Sequence, residues 1–289
     1  MRTVQDVGTL RQLVRQARAE RKSIGFVPTM GALHEGHLSL VRQGRAECSF
    51  LIVSVFVNPL QFAPGEDFSR YPRRIEEDAA LLEGAGVDLL YTPDAAAFYP
   101  FGFSTSVEVA GVSEGGEGAA RPGHFRGVAT VVAKLFQQVA PDRATFGRKD
   151  LQQVAVIRRM IADLDFDIHL AVGETVRDQD GLALSSRNAY LTPSERSLAA
   201  AFPRALFDAR GTAASGERDA AVLARKAREE LGRAGLEVEY VEAVNPETMR
   251  PASRVEPGTA LAAAIRIGKT RLIDNVSLLE TEKGTTNRP

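Results

Sequence analysis

The chain has 289 residues, 44% of them apolar and 25% charged, which suits one large α/β unit with a smaller companion and excludes a wholly disordered or fibrous protein. The formal net charge of −1 gives no bulk attraction to nucleic acid or an anionic membrane, so any anion must be held by locally placed groups. Cys48 is the single cysteine, so no intramolecular disulfide can form; it stands before an apolar run and reads as a buried structural thiol. Residues 1–16 lack a signal-peptide core, and no stretch approaches the length of a membrane span, so a cytoplasmic location is expected.

Residues 4–19 place Val7, Leu10, Val14 and Ala17 at helical spacing. An apolar run at 24–27 closes on Pro28, Thr29 and Gly31, and a helix is expected to begin near His37. The run at 50–57 is rich in β-branched residues and free of charge, which suits a strand covered on both faces. Helices are expected at 75–86, 128–139 and 150–164, and strands at 88–91, 143–146 and 166–172. Strands alternating with helices predict a doubly wound parallel sheet over residues 1–175. From 176 onward the texture changes: helices at 193–210 and 218–233 precede candidate strands at 236–244, 260–267 and 271–279. Helices followed by strands predict a separate, smaller α+β domain over 176–289. The polar tail at 281–289 reads as frayed.

Four loops carry chemistry. His34-Glu35-Gly36-His37 follows the first run and opens a helix, whose unpaired N–H groups and positive dipole suit a phosphate. The two histidines can donate to the same ligand, although a loop with two solvated histidines is the plain alternative. The pair lacks the i, i+4 spacing of a zinc metalloprotease. Gln61, in Asn58-Pro59-Leu60-Gln61-Phe62, follows the 50–57 run, where ligands of open α/β sheets collect; its amide both donates and accepts. Gly147-Arg148-Lys149-Asp150 ends the next strand, and Lys149 can neutralise phosphate charge. Asp150 shares a helix face with Gln153 or serves as an ordinary N-cap. No Walker-type loop occurs. Leu184-Ser185-Ser186-Arg187-Asn188 places two hydroxyls beside a guanidinium and reads as a mobile polyanion clamp or as a polar linker. His124, in Arg121-Pro122-Gly123-His124-Phe125-Arg126-Gly127-Val128, is expected to be structural rather than catalytic, as is His169. Residues 114–118 read as a flexible glycine-rich loop.

Pro28-Thr29-Met30-Gly31-Ala32-Leu33-His34-Glu35-Gly36-His37 resembles the signature of the pantothenate synthetases, or pantoate–β-alanine ligases, of the His-x-Gly-His nucleotidyltransferase and class I synthetase superfamily. The other motifs follow in family order as far as Leu191, with Leu184 standing where the family has methionine. The resemblance implies a Rossmann-like fold and a homodimer. It also implies that pantoate attacks the α-phosphorus of ATP and that β-alanine then attacks the pantoyl adenylate. It assigns ATP to Met30, Gly31, Ala32, Leu33, His34, Glu35, Gly36, His37, Gly147, Arg148, Lys149, Asp150, Val176, Leu184, Ser185, Ser186 and Arg187. Pantoate falls to Gln61 and Gln153, β-alanine to Gln61, and catalysis to His34, His37 and Lys149, with His37 as proton donor. Mg²⁺ is expected with ATP, held mostly by phosphate oxygens and water; Glu77 and Asp78 are weak candidates as protein ligands. The competing enzyme is a nucleotidyltransferase acting on a phosphorylated acceptor, and the competing non-enzyme is a nucleotide-binding sensor.

Overall fold

A computed structural model describes residues 1–280, so the tail at 281–289 lies outside the described residues. In chain order the larger half contains β1 (Arg2–Val4), α1 (Val7–Ala19), β2 (Ile24–Thr29), α2 (Glu35–Glu47), β3 (Phe50–Val55), α3 (Ile75–Gly84) and β4 (Leu89–Tyr91). It continues with α4 (Ala95–Phe98), α5 (Gly116–Ala120), α6 (His124–Val139), β5 (Arg143–Gly147), α7 (Leu151–Asp163) and β6 (His169–Gly173). The six strands form one parallel sheet in the order β1-β4-β3-β2-β5-β6.

The apolar runs explain the sheet. Ile24, Phe26 and Val27 of β2 and Leu51, Ile52 and Val53 of β3 are fully buried, so neither face of the central strands meets water. Burying each such side chain is worth about 1.5–3 kcal/mol. The chain lays β3 and β4 on one side of β2 and then returns to place β5 on the other, which makes the β2/β5 boundary the topological switch point. Ligands of open α/β sheets gather beyond the carboxyl ends of the strands at such a point.

The smaller half holds α8 (Pro193–Ala199), α9 (Ala201–Ala214), α10 (Ala220–Arg233), β7 (Glu237–Val244), β8 (Ala260–Ile267) and β9 (Thr270–Ser277). Its three strands form an antiparallel sheet in sequential order, packed on α9 and α10 around Phe202, Leu206, Leu223 and Leu261. No helix among the described residues is long and apolar enough to cross a membrane.

Several expectations need adjustment. The helix expected from residue 4 starts at Val7, because Asp6 caps it by accepting from Thr9 N and leaves 2–4 to pair as β1 with β4. Residues 193–210 are two helices that meet at Ala200. Residues 116–118 of the segment expected to be flexible instead open α5 (Gly116–Ala120), with Glu117 buried. Cys48 is buried as expected, and that burial raises its thiol pKa. His169 opens β6 and is exposed.

Candidate active site

Beyond β2 the backbone makes a left-handed turn, with φ of 82° at Gly31 and 51° at Ala32. A Cβ on Gly31 would stand 2.9 Å from both Asp78 and Val55, so glycine alone fits the turn. Asp78 is buried, and its carboxylate accepts from Ala32 N at 2.9 Å and Leu33 N at 2.8 Å. Asp78 thus braces the turn, while Glu77 lies 3.4 Å from Arg74.

The turn delivers His34 to the N-cap of α2. His34 Nδ1 accepts from Gly36 N at 3.1 Å, and His34 N donates to His37 Nδ1 at 3.3 Å. The rings stand 4.1 Å apart. With each Nδ1 accepting, the ring proton of each neutral histidine sits on Nε2. Burial, with the charge of Lys149 adding to it, lowers His34 to about pKa 4. Burial, then His34 and Lys149, lowers His37 to about 3. Both are therefore neutral Nε2–H donors at pH 7.

Lys149 lies in the β5–α7 loop on the other side of the switch point. Asn275 of β9 donates to the carbonyls of Arg148 at 3.0 Å and Lys149 at 2.9 Å, so the smaller sheet holds the loop. The Lys149 side chain is only 18% exposed, more enclosed than its loop position suggests, and its ammonium is 3.9 Å from Asp150. Asp150 occupies the N-cap position of α7 yet makes no side-chain capping bond, so ordinary capping does not explain it. Gln152 is buried and bonded to residues 112, 115 and 117, whereas Gln153 is half-buried in the cavity wall.

Gln61 ends a 3-10 turn, Pro59–Gln61, pressed against α6 where Gly127 lies; a Cβ there would be 2.2 Å from Leu60 O. Its Oε1 accepts from Asn58 at 3.0 Å, and its Nε2 donates to Met30 Sδ at 3.1 Å. Asn58 is in turn oriented by Tyr99, Leu60 N and Gly127 O. The 184–188 segment is tied to the larger half by side-chain bonds. Arg187 is bidentate on Asp67 at 2.9 and 3.0 Å, and Ser186 Oγ lies 3.1 Å from Tyr71 OH.

One cavity of 590 Å³ collects His34, His37, Gln61, Lys149, Gln153 and Arg187. Met30, Gly36, Gly147, Asp150, Val176, Leu184, Ser185 and Ser186 also reach its wall. Gly31, Ala32, Leu33, Glu35 and Arg148 do not. Glu35 pairs with Arg42 and Arg148 with Glu174, while the backbone of 31–33 serves the turn. The sequence reading missed Asp67, Tyr71, Glu117 and Tyr240, because their importance arises from partners far along the chain. It also missed Thr175 Oγ1 and Asn188 Oδ1, two buried oxygens in the wall without partners among the described residues. Their proximity to Val176 and to the Ser-Ser-Arg run is a signal that was available.

An open parallel sheet with a helix N-terminus, two imidazole donors and a lysine gathered at its switch point defines a Rossmann-like α/β enzyme of the nucleotide-handling class. The sequence profile of the family described as pantoate-beta-alanine ligase matches residues 2–277. Pantothenate synthetase from Rhizorhabdus wittichii is 53% identical over 279 residues, covering 96% of this chain and 99% of its own. The pantothenate synthetase structure from Thermus thermophilus superposes with a TM-score of 0.92 at 49% identity, over 96% of this chain and 100% of that one. The Francisella tularensis pantoate-beta-alanine ligase, solved in complex with "Beta-gamma ATP and Beta-alanine", gives 0.80 at 32% identity, over 96% and 98%. The chain belongs to the pantoate–β-alanine ligase family.

Proposed function

We propose that this enzyme condenses (R)-pantoate with β-alanine to give pantothenate, using ATP and releasing AMP and pyrophosphate. The observation that carries the reading is the meeting, in one cavity, of phosphate-directed donors and two amides suited to a hydroxy acid. The ATP and β-alanine bound to the Francisella relative support it.

A carboxylate and an amine in water form a salt, because oxide is too poor a leaving group. In the first step a pantoate carboxylate oxygen bonds to the α-phosphorus of ATP, and the bond to pyrophosphate breaks. In the second, the β-alanine amine bonds to the acyl carbon, the acyl–oxygen bond breaks, AMP leaves and the amine loses a proton. The first step asks mainly for positioning and charge stabilisation. Lys149, the α2 N-terminus and the Nε2–H groups of His34 and His37 supply both. His37, whose pKa burial lowers, offers its Nε2–H as a hydrogen bond to developing phosphate charge. Mg²⁺ would accompany the nucleotide and neutralise phosphate charge, held mostly by phosphate oxygens and water, and Asp150 beside Lys149 is the carboxylate that could face it.

Gln61 and Gln153 take pantoate, and Gln61 also meets β-alanine. The ATP set is the group of residues named above at 30–37, 147–150, 176 and 184–187, of which 31–33 act through the turn. Residues 1–175 form the ATP- and pantoate-binding domain, and 176–289 close over it as a lid-like domain, a closure supported by the Asp67–Arg187 and Tyr71–Ser186 contacts. A cytoplasmic homodimer completes the reading. A nucleotidyltransferase would want a spare cation for its acceptor phosphate beside Gln61, but Arg121 there is bonded to Glu66.

The test is AMP release. AMP formation should require Mg²⁺ and pantoate, and amide formation should additionally require β-alanine. AMP produced at full rate without a carboxylic acid sinks the ligase reading, and a nucleotidyl group retained on the acceptor favours the transferase.

A further inference from the structure

Helix α5 is bonded toward Gln61 and toward the neighbour of Gln153, the two glutamines assigned to pantoate, and is gripped by the smaller sheet. Glu117, 6% exposed, accepts from Arg271 Nη1 of β9 at 2.8 Å and from Arg271 Nη2, and Tyr240 OH of β7 donates to it at 3.2 Å. Arg271 is held in turn by Glu239 at 2.7 Å. From α5 two routes lead into the cavity. On the first, Arg121, 3.7 Å from Glu117, is bidentate on Glu66 at 2.7 and 2.6 Å and donates to His124 Nε2 at 3.1 Å. His124 Nδ1 then donates to the backbone carbonyl of Gln61 at 2.8 Å. The polarity is unambiguous, because a guanidinium only donates and a carbonyl only accepts, which fixes the His124 tautomer. On the second route, Glu117 N donates to Gln152 Oε1 at 2.9 Å, in the first turn of α7 and next to Gln153.

We propose that Glu117 is a positioning residue for the hydroxy acid: clamped by Arg271, it sets α5, and α5 sets Gln61 through Arg121 and His124 and Gln153 through Gln152. The inference rests on the pantoate assignment made above and adds a dependence on the smaller sheet. Pantoate finds both amides in place only when Arg271 is seated on Glu117. The groups directed at phosphate share none of these bonds; Lys149 is held separately by Asn275.

Steady-state kinetics test it on the full chain, in Glu117→Gln, Arg271→Met and the double variant. Each single change should raise the pantoate KM about tenfold, the scale of one lost buried hydrogen bond, with the ATP KM held within about twofold. The double variant should be no worse than the poorer single one, since both break one linkage. His124→Ala should act in the same direction, and His124→Asn should recover most of the loss, because its amide nitrogen can donate where Nδ1 stood. An unchanged pantoate KM with lowered thermal stability would overturn the proposal, as would equal losses for ATP or additive losses in the double variant. If the Glu117 and Arg271 variants do not fold, the His124 pair decides by the same criteria. Wild-type AMP release without pantoate would instead fault the functional reading itself, independently of the variants.

Discussion

The set proposed for phosphate and the set proposed for the acid are built on opposite principles. His34, His37 and Lys149 are braced through backbone and Nδ1 contacts, which leaves both Nε2–H groups and the ammonium free for a ligand apart from a distant carboxylate. Gln61 is enclosed in bonds to Asn58, Met30 and His124, and behind them lies a charged network reaching β9. The first set keeps donors in reserve for charge that develops during reaction. In the second, Gln61 is fixed in orientation by one N–H and one lone pair, which leaves the other N–H and lone pair for the acid. A site can thus separate the work of stabilising charge from that of recognising a small uncharged feature.

The largest expected effect tests the reserve. Lys149→Ala should lower kcat by about a hundredfold or more, near the 3–4 kcal/mol of a lost oxyanion donor, with the melting temperature within about 3 °C of wild type. A normal rate in the variant would remove the lysine from the phosphate set. Next come Gln61→Ala and Gln153→Ala, expected to reduce kcat/KM for pantoate by about 1–3 kcal/mol while leaving ATP affinity intact. Gln61→Ala alone should also slow single-turnover aminolysis of preformed adenylate. Equal losses of ATP binding in both variants would dissolve the division between the sets.

A smaller effect is expected from Asp67→Asn. On the proposed assignment of Arg187 to phosphate, the guanidinium exchanges its bidentate carboxylate for the nucleotide, so a weaker competitor should tighten ATP about threefold. Calorimetry showing weaker binding would mean that Asp67 serves the closed site instead. The smallest effect is an expected absence of change. His34 near pKa 4 and His37 near 3 remain neutral from about pH 5.5 upward, so pantoate-dependent ATP–pyrophosphate exchange should show no ionisation at the ordinary histidine value of about 6.5. The sign for stability follows the same shifts. The unfolded chain takes up protons below about 6.5 while the folded one resists, so stability is lost as pH falls from there toward 4. An inflection near 6.5 that disappears in His37→Asn would show the charged form to be at work.

How much of this is legible in sequence follows the same contrast. The parallel sheet announces itself because its central strands are buried on both faces, leaving runs such as Phe50 to Val55 without a charge. The two phosphate-directed histidines are legible because a turn, a helix start and both rings lie within ten consecutive positions, and local spacing records local geometry. Helix α5 reads as a loop because five residues rich in glycine and alanine carry no helical signal; its order comes from Gln152, Tyr240 and Arg271, 35, 123 and 154 positions away. The same distance hides Asp67, whose partner Arg187 lies 120 residues on. Asp78 has the look of a free acid at a helix start until the left-handed turn at Gly31 and Ala32 supplies it with two backbone donors.

The grip of Asn275 on the carbonyls of Arg148 and Lys149 bears on modularity. Every motif that identifies the family here ends by Leu191, so the first two-thirds of the chain resembles a portable catalyst that could be cut out, transplanted or fused. It is not one. A lysine inside that stretch takes its seat from a side chain more than eighty residues past the last motif, so an excised fragment would carry the full set of signature residues with one of them unmoored. In a chimaera between two relatives, the position matching Asn275 therefore has to travel with the lysine loop, even though the two lie on opposite sides of any natural crossover point.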